Sequence, residues 1–257
     1  MVRRDFLQTT AAALVAASLP AGALADALAG SRTTQDELFA ALPAPRAGDW
    51  VRLVLGSGTP YQKQIGLGVE PGPDGDRLFV ETQIGLPGGE CNPNTLRRTY
   101  LRARHFGSLL TTYAVLANVS RSGNTLTRWG DVDAGQPQNA HDARLRLLDV
   151  NDLYDPRPCI VRRIAPATVR IGGKAHASTH VAVEFDGAPS AGARLERFDF
   201  WHTSAVPFAV ARYRATLLEL DPFELTMVSY GARFKPELNL SLETVRSMTP
   251  QGMSLQS

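Results

Sequence analysis

The sequence predicts a mostly β protein: a curved antiparallel sheet with a short helix near its N-terminus. Short runs rich in aromatic and β-branched residues recur at close spacing along most of the chain. Gly, Pro and Asn break these runs at nearly every junction. Helical periodicity appears once, ahead of residue 45.

The chain opens on a leader. Arg3 and Arg4 precede Phe6-Leu7, an Ala-rich apolar stretch follows from Thr9 to Leu19, and an A-x-A site ends at Ala25. Paired arginines ahead of Phe-Leu predict a twin-arginine signal over 1–25, carried by the twin-arginine export machinery and cleaved near Ala25. Eleven apolar residues fall short of the roughly 20 that a membrane-spanning helix needs. Residues 26–257 are then expected as a single β-rich domain in a bacterial periplasm.

The helix comes next. Thr34, Gln35, Asp36 and Glu37 form a capping box, Leu38, Phe39 and Leu42 give one apolar face, and Pro43 and Pro45 end it. The period then becomes two. Strands are expected at Trp50–Leu55, Tyr61–Val69, Arg77–Ile84, Leu109–Val119 and Thr125–Trp129, with a hairpin turn at Arg121–Asn124. His141–Val150 alternates Ala143, Leu145 and Leu147 with Asp142, Arg144 and Arg146, so one face is buried.

"VRIGGKAHASTHVAVEF", Val169 to Phe185, reads as a hairpin around Gly172 and Gly173. Long strands follow at Arg194–His202, Phe208–Leu220 and Glu224–Tyr230. Pro207 cannot donate to a ladder, so it marks an edge or a switch-over between two of them. About a dozen strands make a sheet wide enough to curl, and a curled sheet needs cover on its concave side. The helix at 34–42 is the candidate lid.

Composition excludes some functions. Hydrophobic residues are 44% and the formal net charge is +2, so no electrostatic pull toward nucleic acid is expected. The paired arginines 97/98, 102/104, 162/163 and 212/214 read as solvated strand faces. In an oxidising compartment Cys91 and Cys159 are expected to form a disulfide, which would stabilise the fold by roughly 4 kcal/mol.

Catalytic patterns are scarce. The chain has no G-x-S-x-G, H-E-x-x-H, C-x-x-C or P-loop, and no cofactor-binding pattern. His176 and His180 would chelate on a helix, but on a strand they stand about 13 Å apart, too far to share one zinc. His105 and His141 have no metal-type spacing, and no metal is expected. His202 with Ser204 and Asp199 is the one trio that a hydrolytic site would use.

The stretch "FDFWHTSAVPFAVARYRATLLELDPFELTMVSYG", Phe198 to Gly231, runs as aromatic strand, W-x-x-S-x-x-V-P-F, long strand, short turn and a strand ending in Tyr230-Gly231. It resembles the closing half of bacterial exported proteins with the lipoprotein-carrier fold, the superfamily of the outer-membrane lipoprotein carrier. "GDWVRLVL", Gly48 to Leu55, resembles their first strand. The resemblance implies a half-barrel around a hydrophobic cavity for an acyl chain or similar ligand, and brings no catalytic residue with it.

The expected function is a periplasmic carrier or binding protein for a lipid or other hydrophobic molecule. Trp50, Phe79, Tyr113, Trp129, Phe185, Trp201, Phe208 and Tyr230 are the candidate lining. The alternatives are an assembly accessory that binds another envelope protein at the sheet edge near Pro207, and a hydrolase or lyase of an envelope polymer using His202.

Overall fold

The computed structural model describes residues 30–40, 42–43, 45–56, 61–72, 76–86, 91–92, 95–101, 115–129, 155, 157–187 and 195–249. The leader, the strand expected at 141–150, Tyr113, His105, His141 and the side chain of Trp129 lie outside the described residues.

Among the described residues, alternation of apolar and polar side chains builds one unclosed antiparallel sheet of twelve strands. In chain order these are β1 (Arg32–Thr33), β2 (Trp50–Gly56), β3 (Tyr61–Glu70), β4 (Arg77–Gly85), β5 (Thr95–Leu101) and β6 (Val115–Ser122). Then come β7 (Thr125–Trp129), β8 (Cys159–Ile171), β9 (Lys174–Phe185), β10 (Leu195–His202), β11 (Val210–Leu217) and β12 (Phe223–Gly231). In space they run β1-β8-β9-β10-β11-β12-β2-β3-β4-β5-β6-β7, so the chain's last strands sit between its first and its middle ones. The fold class is therefore the expected one.

The inner face carries the main core. Val51, Leu53 and Leu55 of β2 stand beside Met227 and Leu225 of β12, which continue into Tyr213 and Ala215 of β11, then Phe198 and Phe200 of β10, then Val181 and Val183 of β9. All belong to one buried cluster, whose removal from water drives the curl. The curl is tight enough that β8 touches β11 and β12, although three strands separate β8 from β12 in the sheet.

The helix forms as its capping box dictates. In α1 (Gln35–Ala40) Glu37 N donates to Thr34 Oγ1 at 3.3 Å, and Thr34 N donates to Glu37 Oε2 at 3.1 Å. Leu38 packs on the main cluster, and Asp155 N donates to Gln35 Oε1 at 2.8 Å. The helix is thereby braced against the start of β8.

A second core lies on the other face. A C-terminal strap, residues 232–249 with α2 (Leu242–Ser247), crosses β3 to β6. Leu238, Leu242 and Val245 pack there on Phe79, Leu96, Tyr100 and Val119. At Gly66 an added Cβ would come within 2.1 Å of the Phe234 ring, so the strap needs a glycine beneath it. Phe79 therefore belongs to this outer core, and not to the inner face where a lining role put it.

Pro207 sits in the reversal from β10 to β11, the switch-over alternative. Phe208 and Ala209 after it both hold positive φ, 64° and 57°, a conformation that costs about 1–2 kcal/mol per L-residue. Thr203 N donates to Ala209 O at 3.1 Å, and Ala209 N donates to Val206 O at 3.2 Å. These bonds and the burial of the Phe208 ring hold the turn.

The expected disulfide is not formed. Cys91 and Cys159 are both buried free thiols. Cys159 pairs with Phe185 inside the main cluster, whereas Cys91 lies beside Gln64 and Arg52, strands away along the sheet. Burial, reinforced by Glu37 and Asp155, pushes the Cys159 thiol up to about 12. Burial also raises Cys91, with Arg52 opposing it. Neither thiol is the ready nucleophile that a lowered pKa would make.

A pH dependence follows. Between the ordinary thiol range and pH 12 the unfolded chain releases the Cys159 proton and the folded chain keeps it. Stability is thus full below about pH 9 and falls as pH rises, with a slope approaching about 1.4 kcal/mol per pH unit. Urea titrations from pH 7 to 11 should show this fall, and Cys159→Ala should reduce it, the remainder coming from Cys91 and Tyr213, which burial raises in the same direction.

Candidate functional site

Beyond Ile164 the β8–β9 hairpin changes the side it buries. Val161, Val181 and Val183 point into the main cluster at the base. Toward the tip the covered positions become Ala167, Val169 and Ile171 on β8, with His176 and Ser178 on β9; Pro166, Thr168, Arg170, Ala175 and Ala177 are exposed. Two-stranded ribbons twist strongly, and this one has rotated its opposite face toward the body. Pro166 is tolerated because β1 pairs only with Cys159 and Ile160, leaving the rest of β8 as a sheet edge.

The tip crosses to β12. Gly172, at φ +56°, donates its N–H to Val228 O at 2.9 Å. Ile171 is buried in the main cluster, and Val169 packs against that cluster. The His176 ring stands edge-on to Tyr230, with centroids 5.8 Å apart. The hairpin is thus an arm bent over the inner face and held at its tip by the Gly172–Val228 backbone bond and the buried Ile171. The cover expected of α1 is shared with this arm, which sequence reading placed as an ordinary hairpin.

The inner face that it overlies is filled by aromatic side chains. Phe198 lies 5.8 Å from Phe185, 6.0 Å from Phe200 and 5.7 Å from Tyr213 between ring centroids. Burial raises the Tyr213 hydroxyl far above its ordinary range. Phe185, Phe208 and Tyr230 therefore meet this core, three of the eight aromatics proposed as lining. Lys63, opposite Leu53 and Ile84, brings a wholly buried cation to the same face, its Nζ 5.8 Å from the Tyr61 ring centroid.

Trp201 and Trp50 point the other way. Trp201 is on the outer face, stacked on His180 at 4.4 Å with the Arg212 guanidinium 4.7 Å from its ring centroid. Asp199 Oδ1 lies 2.9 Å from His180 Nε2, and Arg212 donates to Glu224 at 2.8 Å. The Trp50 indole abuts Gly231, where a Cβ would come within 2.6 Å of its ring nitrogen. These are cross-strand braces on the solvent side of the sheet.

The hydrolytic trio is not assembled. Asp199 is engaged by His180 and Arg197, not by His202. His202 Nδ1 instead lies 2.9 Å from Ala209 O and holds the strained turn, while Ser204 is exposed.

The opposite end of the sheet is apolar. Strand direction brings Ile84 and Leu86 after β4, Leu218 and Leu220 after β11, and Leu126 in β7 to the end where β3 starts at Tyr61. All five are exposed, Leu86 to 80%.

No protein-family model matches the sequence. No curated protein matches it either. Among solved structures it is similar to a protein from Parabacteroides distasonis described as a lipoprotein, at 6% identity over 73% of this chain and 97% of that one, with a TM-score of 0.31. It is also similar to an exported protein with a YmcC-like fold from Bacteroides fragilis, at 10% identity, 74% and 98% coverage and a TM-score of 0.33. The hypothetical protein CT021 from Chlamydia trachomatis gives 7% identity, 80% and 95% coverage and a TM-score of 0.36. Scores of this size assign no function to the chain.

Proposed function

We propose that the protein is an exported carrier or binding protein for a hydrophobic ligand, delivered by the twin-arginine route to the periplasm. The observation that carries this reading is the β8–β9 arm, which overlies a continuous apolar face and is tied at its tip by the Gly172–Val228 bond and Ile171. Opening the arm exposes that face, and the ligand's apolar surface then replaces the contacts of Ile171 and Val169. Each Å² so removed from water contributes roughly 25 cal/mol.

Native mass spectrometry of the protein purified from its own cell envelope, followed by organic extraction, tests the reading. A bound apolar species at near-stoichiometric load, reduced in an Ile171→Asp variant that remains folded, is expected. A clean apo mass together with no uptake of the fluorescent probe N-phenylnaphthylamine would overturn it.

The exposed Ile84, Leu86, Leu218 and Leu220 favour a second reading, in which that end of the sheet docks on another envelope protein. Photocrosslinking from position 220 in cells should then capture one discrete partner, which Leu86→Lys abolishes.

A further inference from the structure

We infer that the underside of the β8–β9 arm is a site for an anionic head group, held by His176 Nε2 and Ser178 Oγ. The inference rests on the carrier reading and names the class of ligand carried: an amphiphile whose head bears carboxylate or phosphate oxygens.

The first observation is a pair of orphans. His176 Nε2 and Ser178 Oγ are both shielded from solvent without a hydrogen-bond partner. They share one face of β9, two residues and hence about 6.6 Å apart. A buried nitrogen or oxygen left unpaired costs about 1–3 kcal/mol, and folded proteins keep few of them. Two on one face, beneath a hairpin that docks through the Gly172–Val228 bond and Ile171, await groups that are not part of this chain. Both side chains are able to donate, the serine through its hydroxyl and the histidine through Nε2–H.

The second observation is charge, and it selects the acceptor. Between Ile164 and Val183 the arm carries Arg170 and Lys174 and no Asp or Glu, while Arg162 nearer the base is paired with Glu184 at 2.6 Å. The β12 segment that faces its tip, Leu225 to Gly231, carries no charged residue. A negative head is therefore favoured at the arm's tip, and a positive one repelled. Tyr230, edge-on to His176 and packed on the main cluster, marks where the polar site meets the apolar face. A head at His176 leaves the tail to run along that face.

Oleate, oleyl alcohol and oleoyl-lysophosphatidylglycerol, titrated against the full mature protein below their aggregation limits, test the site. The wild type is expected to bind oleate about tenfold more tightly than the alcohol, as charge-assisted hydrogen bonds imply. His176→Phe/Ser178→Ala keeps a ring against Tyr230 and should remove that preference, bringing oleate to the affinity of oleyl alcohol. Lys174→Glu, at an exposed position, should weaken oleate alone without touching any packing. A parallel loss for the lysophospholipid assigns a phospholipid head, and a loss confined to oleate assigns a free carboxylate. Equal wild-type affinity for oleate and its alcohol, or a preference that survives the double variant, would overturn the inference and leave the two atoms to water. Uptake of none of the three probes would instead sink the carrier reading itself.

Discussion

Glu81→Ala is expected to destabilise the protein by about 3–5 kcal/mol, because it strands a guanidinium inside the outer core. Arg98 and Glu81 are almost wholly buried, and Glu81 Oε2 accepts from Arg98 Nε at 3.0 Å and Nη2 at 2.6 Å. The same guanidinium donates to Leu240 O at 2.9 Å and to Leu238 O, and lies 4.2 Å from the Phe79 ring centroid. Glu81 Oε1 accepts the Glu237 N–H at 2.7 Å, and Tyr100 donates its hydroxyl to Leu240 O at 2.7 Å. The pair thus ties the strap to the sheet, and its loss should free the strap before the sheet unfolds.

Hydrogen exchange should report early opening of residues 232–249 in Glu81→Ala, and urea denaturation the lowered midpoint. Glu243→Ala, which removes an exposed partner of Arg77, should leave that midpoint unmoved. Equal behaviour of the two variants would show that the buried pair does not anchor the strap.

This pair also marks where sequence reasoning stopped. β5 reads T-L-R-R-T-Y-L; it was not among the expected strands, and its two central arginines read as a solvated face. Only a long-range partner, Glu81 on β4, makes Arg98 a buried residue, and that partnership has no local signature. The helix α2 was equally silent, being six residues that depend on the Ser241 cap and on Leu242 and Val245 meeting β5 and β6.

Local signals fared better. The Thr34–Glu37 box, the Gly172-Gly173 turn and the Arg121–Asn124 turn each carry their geometry in the residues themselves. β8 starts ten residues before the Val169 expected for it, since Pro166 and the charged Arg162 and Arg163 disguise an edge strand. Of the candidate site, the sequence reading named His176 only to exclude it as a zinc ligand, and nothing in it set which way that face of β9 turns. The twist that turns it inward is a property of the ribbon and its docking, and no residue pattern announces it.

Phe198→Ala and Trp201→Ala should separate the two faces of one strand. Only three residues apart on β10, these aromatics read alike in sequence, and both belong to the motif that suggested a half-barrel. Phe198 is wholly buried among Phe185, Phe200 and Tyr213, so its truncation should cost about 3–5 kcal/mol through lost burial and a cavity that a stiff sheet cannot close. Trp201 gives up a stacked histidine and a guanidinium contact on the partly exposed face, each worth about 0.5–1.5 kcal/mol. Its loss should therefore be about 1–2 kcal/mol and should leave uptake of an apolar probe at the wild-type level. Phe198→Ala, assayed where it is still folded, should change that uptake, because the void it opens lies on the face that the arm covers. Thermal and urea unfolding of both variants, with N-phenylnaphthylamine titrations alongside, measure the contrast. A Trp201→Ala variant that lost probe binding while keeping its fold would place the ligand on the outer face, beside His180 and Arg212, and remove the arm from the mechanism.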